Sequence, residues 1–214
     1  MAKYPIYLEL QDRRVVVIGG GAVAARKARV LLDCGARLVL VADKIDDAVV
    51  RATTGRNAEL IRSKYSKNYL AEAVLAIAAT NDRKLNERIY LDCQELEVLC
   101  NVVDMPDLCD FYVPATVRRG PLQIAIGTEG YCPAYSGHLR KKLEHVFTED
   151  HGRFLLELEC IRKRIITEID DATVRKVILG ELVDDESFEF FKKNGSDAWR
   201  ARAEEVISRH KAQV

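Results

Sequence analysis

The chain has 214 residues, 48% of them hydrophobic, and its 33 basic and 33 acidic residues balance to a formal net charge of zero. This composition is typical of a globular protein that is large enough to bury a core. It excludes a protein whose overall charge attracts nucleic acid or an anionic membrane, so an anionic partner would have to meet a local basic patch.

The cysteines and the N-terminal sequence indicate a cytoplasmic protein. None of the six cysteines forms a C-x-x-C pair or a short cluster with histidine at zinc-site spacing. The first residues, MAKYPIYLELQDRR, carry no secretory signal, and no apolar run is long enough to span a membrane. We therefore expect reduced thiols, no metal centre, and neither a membrane nor a nucleic-acid partner.

Strand-like and helix-like stretches alternate over residues 13–104. Short apolar runs of the kind that form buried strands are followed by stretches whose apolar residues recur at helical spacing. Strands are predicted at 15–18, 37–43, 58–62, 73–80 and 97–104, and helices at 22–34, 45–53 and 82–96. This order predicts an α/β fold, a Rossmann-like doubly wound parallel sheet with crossover helices. Gly35 is typical of the residue that ends a helix.

The pattern changes after Pro106. Residues 111–128 are predicted to form two strands joined at Arg119-Gly120-Pro121, and Pro133 to begin a helix that runs to about Val146. The rest, from His151 onward, is predicted to be all helical. We therefore divide the chain into a NAD-binding domain (1–113), a hairpin-plus-helix segment (114–150) and a helical C-terminal domain (151–214).

One face of the first C-terminal helix is apolar, and the helices that follow it are separated by break signals. The apolar face carries Phe154, Leu158, Ile161, Ile165 and Ile169, and breaks are predicted at Gly180, at Asp184-Asp185 and at Asn194-Gly195.

The glycine-rich stretch Gly19-Gly20-Gly21-Ala22-Val23-Ala24 fits G-x-G-x-x-A, a variant of the dinucleotide fingerprint. Glycines allow a tight turn and a close approach to a pyrophosphate, which the following helix N-terminus attracts. Asp43 ends the next strand, where an acid accepts hydrogen bonds from a ribose and repels a 2′-phosphate. The alternatives are a plain strand-turn-helix and a solvated acid, but the βαβ context favours NAD.

Two further strand ends should point into the same crevice, because ligands meet the carboxyl ends of parallel strands. The first carries Thr80, which can line the cofactor cleft, and Asn81, which we interpret as the N-cap of the next helix. The second is Asn101-Val102-Val103-Asp104. Asp104 is either a turn former before Met105-Pro106 or a general base or metal ligand, and the residues alone leave this open.

Two basic clusters and a histidine pair have simple structural interpretations, whereas a third basic pair does not. Arg118-Arg119 and Arg140-Lys141-Lys142 fit a solvent-exposed face, and His138 and His145 lie two helical turns apart, too far for joint metal ligation. Arg26-Lys27 stands near a predicted helix start, where the macrodipole disfavours cations unless an anion is bound nearby.

The sequence resembles the precorrin-2 dehydrogenases of siroheme biosynthesis, both the stand-alone enzymes and the N-terminal part of the multifunctional siroheme synthases. The resemblance covers about the first 150 residues. The matching stretches are YPIYLEL (4–10), GGGAVAARKARVLL (19–32), AIAATND (76–82), NVVDMPDLCDFYVPA (101–115), RRGPLQIAIGTEGYCP (118–133) and LRKKLE (139–144).

The resemblance implies NAD⁺-dependent oxidation of precorrin-2, a tetrapyrrole with eight carboxylates, to sirohydrochlorin. Some members of the family also insert ferrous iron. It further implies a homodimer in which the hairpin segment, 114–150, exchanges between subunits and the helical C-terminal part closes over the active-site cleft. The chain ends at Val214 without the methyltransferase domain of the multifunctional synthases, so we expect that it does not make precorrin-2 itself.

The resemblance also implies roles for individual residues. Asp104 is the expected catalytic residue, and Thr128 matches a position where some synthases carry a serine near the substrate. Many relatives are Ser/Gly-rich where this chain has Glu129 and Tyr131. The expected cofactor residues are Gly19, Gly20, Gly21, Ala22, Val23, Asp43, Lys44 and Thr80, and the expected substrate residues are Asn101, Arg118, Arg119, Thr128 and Arg140.

Two other functions stay open at this point. One is a regulatory Rossmann module that senses NAD(H) without turnover and reports to a partner through the helical tail. The other is a different NAD-dependent oxidoreductase, which would usually carry a Tyr-x-x-x-Lys pair or a histidine in the cleft. The sequence contains neither of these signals.

Overall fold

The computed structural model describes residues 3–211, which divide into two compact units with the chain boundary between Val113 and Pro114. The first unit alternates strands and helices, as predicted. Its elements are β1 (Arg14–Ile18), α1 (Ala22–Asp33), β2 (Arg37–Ala42), α2 (Asp47–Thr53), β3 (Ala58–Arg62), β4 (Leu75–Ala78), α3 (Arg83–Glu95) and β5 (Leu99–Val102), with 3₁₀ turns at Lys67–Leu70 and Pro106–Leu108.

The five strands form one parallel sheet in the order β3-β2-β1-β4-β5. The chain crosses from one side of β1 to the other between β3 and β4. A crevice therefore opens at the carboxyl ends of β1 and β4, which is where doubly wound folds bind their ligands. The predicted Rossmann-like sheet is confirmed.

Both faces of the central strands β1, β2 and β4 are buried, which explains why their sequences are almost continuously apolar. Successive residues of β1 alternate between two cores. Val15 and Val17 pack with α1 and α2 on one face, and Val16 and Ile18 pack with α3 on the other. A strand that is buried on both faces has no polar face, so apolar runs of four or five residues mark β1, β2 and β4, whereas the edge strand β3 also carries exposed Glu59 and Arg62.

Strands β4 and β5 are shorter than the strands predicted at 73–80 and 97–104. The parallel ladder continues for one hydrogen bond beyond each strand, from the Ala79 amide to the Ile18 carbonyl at 2.7 Å and from the Val103 amide to the Ala78 carbonyl at 2.9 Å. The backbone then turns away from the sheet. The apolar residues that follow are partly buried in the turns rather than paired in the sheet.

The helix ends follow local chemistry, with one correction. Gly35 adopts φ +76° directly after the end of α1, as predicted. Asp82, not Asn81, caps α3, since its carboxylate accepts a hydrogen bond from the Leu85 amide at 3.1 Å. The prediction for Asn81 was wrong by one residue, because either side chain can form this bond and the sequence does not choose between them.

The second unit combines an antiparallel hairpin with helices. Its elements are β6 (Ala115–Arg119), β7 (Leu122–Ile126), α4 (Pro133–Val146), α5 (Glu149–Glu168), α6 (Ala172–Leu182) and α7 (Asp185–Lys211). The hairpin turns at Gly120-Pro121 and pairs Val117 with Ile124. The predicted hairpin and the predicted bounds of α4 are confirmed, and residues 114–150 lie in the same compact unit as the helices that follow.

The helix breaks match the sequence only in part. The break near Asp184 and the bend of α7 at Gly195, where φ is +82°, are confirmed. Gly180 lies inside α6 and causes no break, because a helix tolerates a single glycine. An additional break precedes Asp171, whose carboxylate caps α6 by accepting hydrogen bonds from the Thr173 and Val174 amides.

The core of the second unit is built on the predicted apolar face of α5. Four of the five predicted residues are buried, and aromatic rings from α7 pack against Phe154. The buried Trp199 indole donates a hydrogen bond to the Ser187 hydroxyl at 2.8 Å. Within residues 3–211, no helix has the length and apolar character required to cross a membrane.

Candidate functional site

A cleft with a volume of about 1330 Å³ runs along the carboxyl ends of the five parallel strands. Its walls are the segments that follow each strand, because parallel strands bring these segments to one edge of the sheet. The segments are 19–23, 43–44, 63–65, 79–83 and 103–105, with Asp46 added from the loop after β2 and Leu85, Asn86 and Arg88 from α3. Pockets for compact ligands have volumes of about 300–1000 Å³, so this cleft has room for an elongated molecule.

Close packing explains the first two glycines of the turn. Gly19 adopts φ +130°, and a Cβ atom there would lie 2.2 Å from the Ala79 carbonyl oxygen. A Cβ atom on Gly20 would lie 1.9 Å from the Lys44 carbonyl oxygen. The turn can therefore pass between the ends of β2 and β4 only if both residues lack side chains.

Gly21 has different surroundings, since the nearest atom to a Cβ there would be an Asp46 carboxylate oxygen at 3.9 Å. It is the N-cap of α1, where it offers no side-chain acceptor, and the first turn of the helix contains no acidic residue. The first amides of a helix have no partners within the helix. These amides and the positive end of the helix dipole form an anion site that fits a pyrophosphate.

The predicted ribose contact lies in the same cleft. Asp43 and Lys44 follow β2 and are exposed. The loop is held against the glycine turn by a hydrogen bond from the Asp46 amide to the Gly20 carbonyl at 2.9 Å. Asp43 therefore stands next to the pyrophosphate site, where an acid can accept hydrogen bonds from ribose hydroxyls.

Thr80 lines the cleft and is held in place by α3. Its hydroxyl donates to the Asn86 side-chain oxygen at 2.7 Å, and the Asn86 amide donates back to the Thr80 carbonyl at 3.1 Å. Asn86 is buried, so this pair fixes the end of β4 against the helix. Both residues face the cleft, although the sequence analysis predicted only Thr80.

Asp104 lies at the opposite side of the glycine turn from Asp43. It is exposed in the cleft and adopts a left-handed conformation, with φ +60°. This conformation costs a residue other than glycine about 1–3 kcal/mol and is concentrated at functional sites. The structure thus brings Asp104 into one cleft with Gly19–Val23, Asp43, Lys44 and Thr80.

Asn101 does not line this cleft with the residues above. Its side chain is buried, and its amide donates to the Phe111 carbonyl at 2.9 Å and to Cys109 Sγ at 3.5 Å. The expectation that Asn101 contacts the substrate stays a prediction, and in this structure its side chain is engaged with residues 109 and 111. The rule that ligands meet the carboxyl ends of parallel strands, which we call the strand-end rule, correctly puts the backbone of Asn101 near the end of β5. The side chain, however, points toward the segment that packs beside β5.

The other predicted substrate residues belong to the second unit. The Arg119 guanidinium donates to the Phe147 and Glu144 carbonyls at 2.8 and 2.9 Å, so it supplies hydrogen bonds to carbonyl groups that have no partner within the helix at the end of α4. The expectation of a substrate contact stays a prediction for Arg119, whose donors are engaged within the second unit in this structure. Arg118 is exposed on β6, and Arg140 pairs with Glu144 on α4. Thr128 is half-buried in a turn closed by the Tyr131 amide.

Arg26 and Lys27 differ from each other in burial. Arg26 is exposed, whereas Lys27 is half-buried on α1. Burial lowers the pKa of Lys27, the nearby Arg26 charge lowers it further, and only Cys109 opposes this shift. Neither residue is among the described residues that line the cleft.

Sequence reasoning missed the part of the cleft that follows β3. Ser63, Lys64 and Tyr65 line it, and the same strand-end rule that selected Asp43 would have found them. Tyr65 is held by its hydroxyl, which donates to Asp92 at 2.9 Å, and by the Arg88 guanidinium 5.9 Å from its ring centre. Burial and the Asp92 hydrogen bond raise the pKa of Tyr65, so it stays protonated.

The part of the chain that the structure describes contains no group of three or more His, Cys, Asp or Glu side chains arranged to hold a metal ion. The six cysteines are all free thiols.

Comparison with curated proteins finds siroheme synthases. The chain is 38% identical to that of Psychrobacter arcticus over 72% of its length, and 35% identical to that of Azotobacter vinelandii over 83%. It is 31% identical to the siroheme synthase of Shigella boydii serotype 18 over its whole length. These matches cover 28%, 38% and 48% of the respective relatives, so the chain spans less than half the length of each.

A solved structure described as SirC, precorrin-2 dehydrogenase, shares the fold, with a TM-score of 0.78 at 23% identity over 95% of this chain and 100% of that one. A family model described as putative NAD(P)-binding matches residues 6–115, which is more than half of the chain and includes every residue that lines the cleft. The chain therefore belongs to this family of NAD(P)-binding proteins.

Proposed function

We propose that the chain is an NAD⁺-dependent precorrin-2 dehydrogenase that oxidises precorrin-2 to sirohydrochlorin in siroheme biosynthesis. One observation carries the proposal: an exposed carboxylate, Asp104, shares a single cleft with a glycine turn built for a dinucleotide. The names of the siroheme synthase relatives and the fold shared with SirC support this choice of substrate.

The residues of the cleft fit NAD. The uncapped amides at Gly21, Ala22 and Val23 bind the pyrophosphate, and Asp43 accepts hydrogen bonds from the adenosine ribose. The Asp43 carboxylate also disfavours a 2′-phosphate, which selects NAD over NADP. When bound, NAD⁺ supplies a hydride acceptor in its nicotinamide ring.

Asp104 acts as the general base in this proposal. The sheet order puts β2 and Asp43 on one side of the glycine turn and β5 and Asp104 on the other. Asp43 would therefore hold the adenosine part of the cofactor, and Asp104 stands on the other side of the turn, where the cofactor would supply the hydride acceptor. As a hydride leaves a substrate carbon, a proton leaves as well, and the Asp104 carboxylate accepts it or orients a pyrrole N–H.

In this proposal, the second unit supplies the contacts to the substrate and to the partner subunit. Arg118 and Arg140 carry positive charge for the carboxylates of the tetrapyrrole, and Thr128 lies near it. The enzyme works as a homodimer in which the segment 114–150 forms the subunit contact. It operates in the cytoplasm, where its six free thiols stay reduced.

An anaerobic assay tests the function directly. Purified protein is given precorrin-2 with NAD⁺, with NADP⁺ in a parallel sample, and the absorbance of NADH and of sirohydrochlorin is followed. We expect both products to appear together with NAD⁺ and much more slowly with NADP⁺. Tight NAD⁺ binding without turnover would instead identify an NAD(H)-sensing module. Ferrous iron added after the oxidation tests for insertion of the metal into the product.

A further inference from the structure

The left-handed conformation of Asp104 needs support from its surroundings, since an unsupported chain would relax from it. Asp104 occupies a turn closed by a weak hydrogen bond from the Met105 amide to the Val102 carbonyl at 3.3 Å. The chain then folds back along β5 through residues 105–111, which we call the return segment. The contacts between β5 and the return segment determine where Asp104 stands.

Backbone hydrogen bonds hold the return segment against β5. Asn101 forms an antiparallel bridge with Cys109, and the Asp110 amide donates to the Cys100 carbonyl at 2.8 Å. The Asp110 carboxylate in turn accepts from the Cys100 amide at 2.8 Å and from the Gln94 side chain at 3.0 Å. The return segment is thereby attached to β5 by an isolated antiparallel bridge, and the Asp110 carboxylate ties its outer end to α3.

Two side chains extend this attachment to the turn itself. Asn101 spans the gap between β5 and the return segment with its bonds to the Phe111 carbonyl and Cys109 Sγ. Cys109 Sγ lies 3.3 Å from both the amide and the carbonyl of Val102 and 3.4 Å from the Met105 carbonyl. Burial raises the pKa of the Cys109 thiol, which therefore keeps the proton that it donates.

These contacts bracket Asp104, since Val102 precedes it by two residues and Met105 follows it directly. We infer that Asn101 and Cys109 are positioning residues that hold the carboxylate of Asp104 toward the cleft. The inference rests on the proposed function and gives Asn101 a task other than contact with the substrate. Neither side chain needs to touch NAD⁺ or the tetrapyrrole to affect the rate.

The test measures kcat, KM and NAD⁺ affinity for Asn101→Ala, Cys109→Ala and Cys109→Ser in the full chain. A displaced catalytic group lowers kcat, so we expect Asn101→Ala to lose roughly tenfold to a hundredfold in kcat with little change in NAD⁺ affinity. Cys109→Ala should lose less, and Cys109→Ser should recover most of the rate because its hydroxyl can also donate and accept. Cys34→Ser, at a half-buried cysteine that ends α1, is the matched control and should keep the wild-type kcat.

A double variant separates positioning from general damage. If Asn101 acts only through Asp104, Asn101→Ala combined with Asp104→Asn should be no slower than Asp104→Asn alone. Rate losses that multiply, or an unchanged kcat in a folded Asn101→Ala protein, would overturn the inference. If Asn101→Ala does not fold, Cys109→Ala tested in the same cycle decides the question. A wild-type protein that fails to oxidise precorrin-2 would refute the proposed function instead.

Discussion

Two carboxylates in the cleft of the first unit and two arginines of the second unit have opposite surroundings. Asp43 and Asp104 are exposed in the cleft, and the described residues provide neither of them with a side-chain hydrogen bond. In the second unit, Arg119 bonds two carbonyls and Arg140 pairs with Glu144. Within the described residues the two carboxylates have no internal side-chain partner, whereas a ligand of the two arginines would have to compete with or add to the partners that they already have.

This difference shows which kind of sequence evidence locates a site. The strand-end rule depends on topology, since parallel strands bring their carboxyl ends to one edge whatever side chains follow. A cluster of arginines has no such constraint. A guanidinium can bind the unpaired carbonyls at a helix C-terminus as well as it binds the carboxylates of a ligand. In this chain, Arg119 donates to such carbonyls at the end of α4.

The strongest test of the contrast is Asp104→Asn. Asparagine keeps the size of the side chain but cannot accept a proton, so we expect kcat to fall by about a hundredfold or more, the range of general base catalysis. NAD⁺ affinity should stay within about twofold, because Asp104 lies on the other side of the glycine turn from the ribose site. Steady-state kinetics and calorimetric titration measure the two quantities. Full activity would remove Asp104 from the mechanism.

Gly20→Ala should have the next largest effect. A Cβ atom 1.9 Å from the Lys44 carbonyl forces the loop that carries Asp43 away from the turn. We expect NAD⁺ binding to weaken about tenfold or more and the free energy of unfolding to fall by about 1–3 kcal/mol. Gly21→Ala is the matched control: its Cβ would meet only one oxygen at 3.9 Å, and because alanine is a poorer N-cap than glycine, it should lose some stability but less than Gly20→Ala. Equal stability of the two variants would contradict this interpretation of the turn.

Asp43→Ser probes the choice of cofactor. Removing the carboxylate removes the repulsion of a 2′-phosphate, and Lys44 and Lys64 in the same cleft can then attract it. We expect NADP⁺ to bind about tenfold more tightly, which corresponds to about 1.4 kcal/mol. Titration of both cofactors measures the change. Asp47→Ser, which alters an exposed acid in α2 that does not line the cleft, should leave the preference for NAD⁺ intact.

Much of the fold and of the cofactor half of the cleft could be predicted because local signals determined them. Local residue patterns were enough to predict the strand at 58–62, the helix that begins at Pro133 and the hairpin turn at Gly120. Gly19 and Gly20 were identified by spacing, although the atoms that exclude their side chains come from distant loops. The surroundings of Asn101 could not be predicted, because they depend on the path of the return segment, which no periodicity in the sequence describes.

Arg119→Ala tests the second half of the contrast and should have the smallest effect. Its guanidinium is 20% exposed and satisfies two carbonyls at the end of α4. We expect its loss to lower the free energy of unfolding by about 1–2 kcal/mol, measured by chemical denaturation. Arg118→Ala, at its exposed neighbour, should change stability by less than about 0.5 kcal/mol. If Arg119→Ala instead unfolds like the wild type and raises KM for precorrin-2, Arg119 binds substrate, and an internal partner does not exclude a role in recognition.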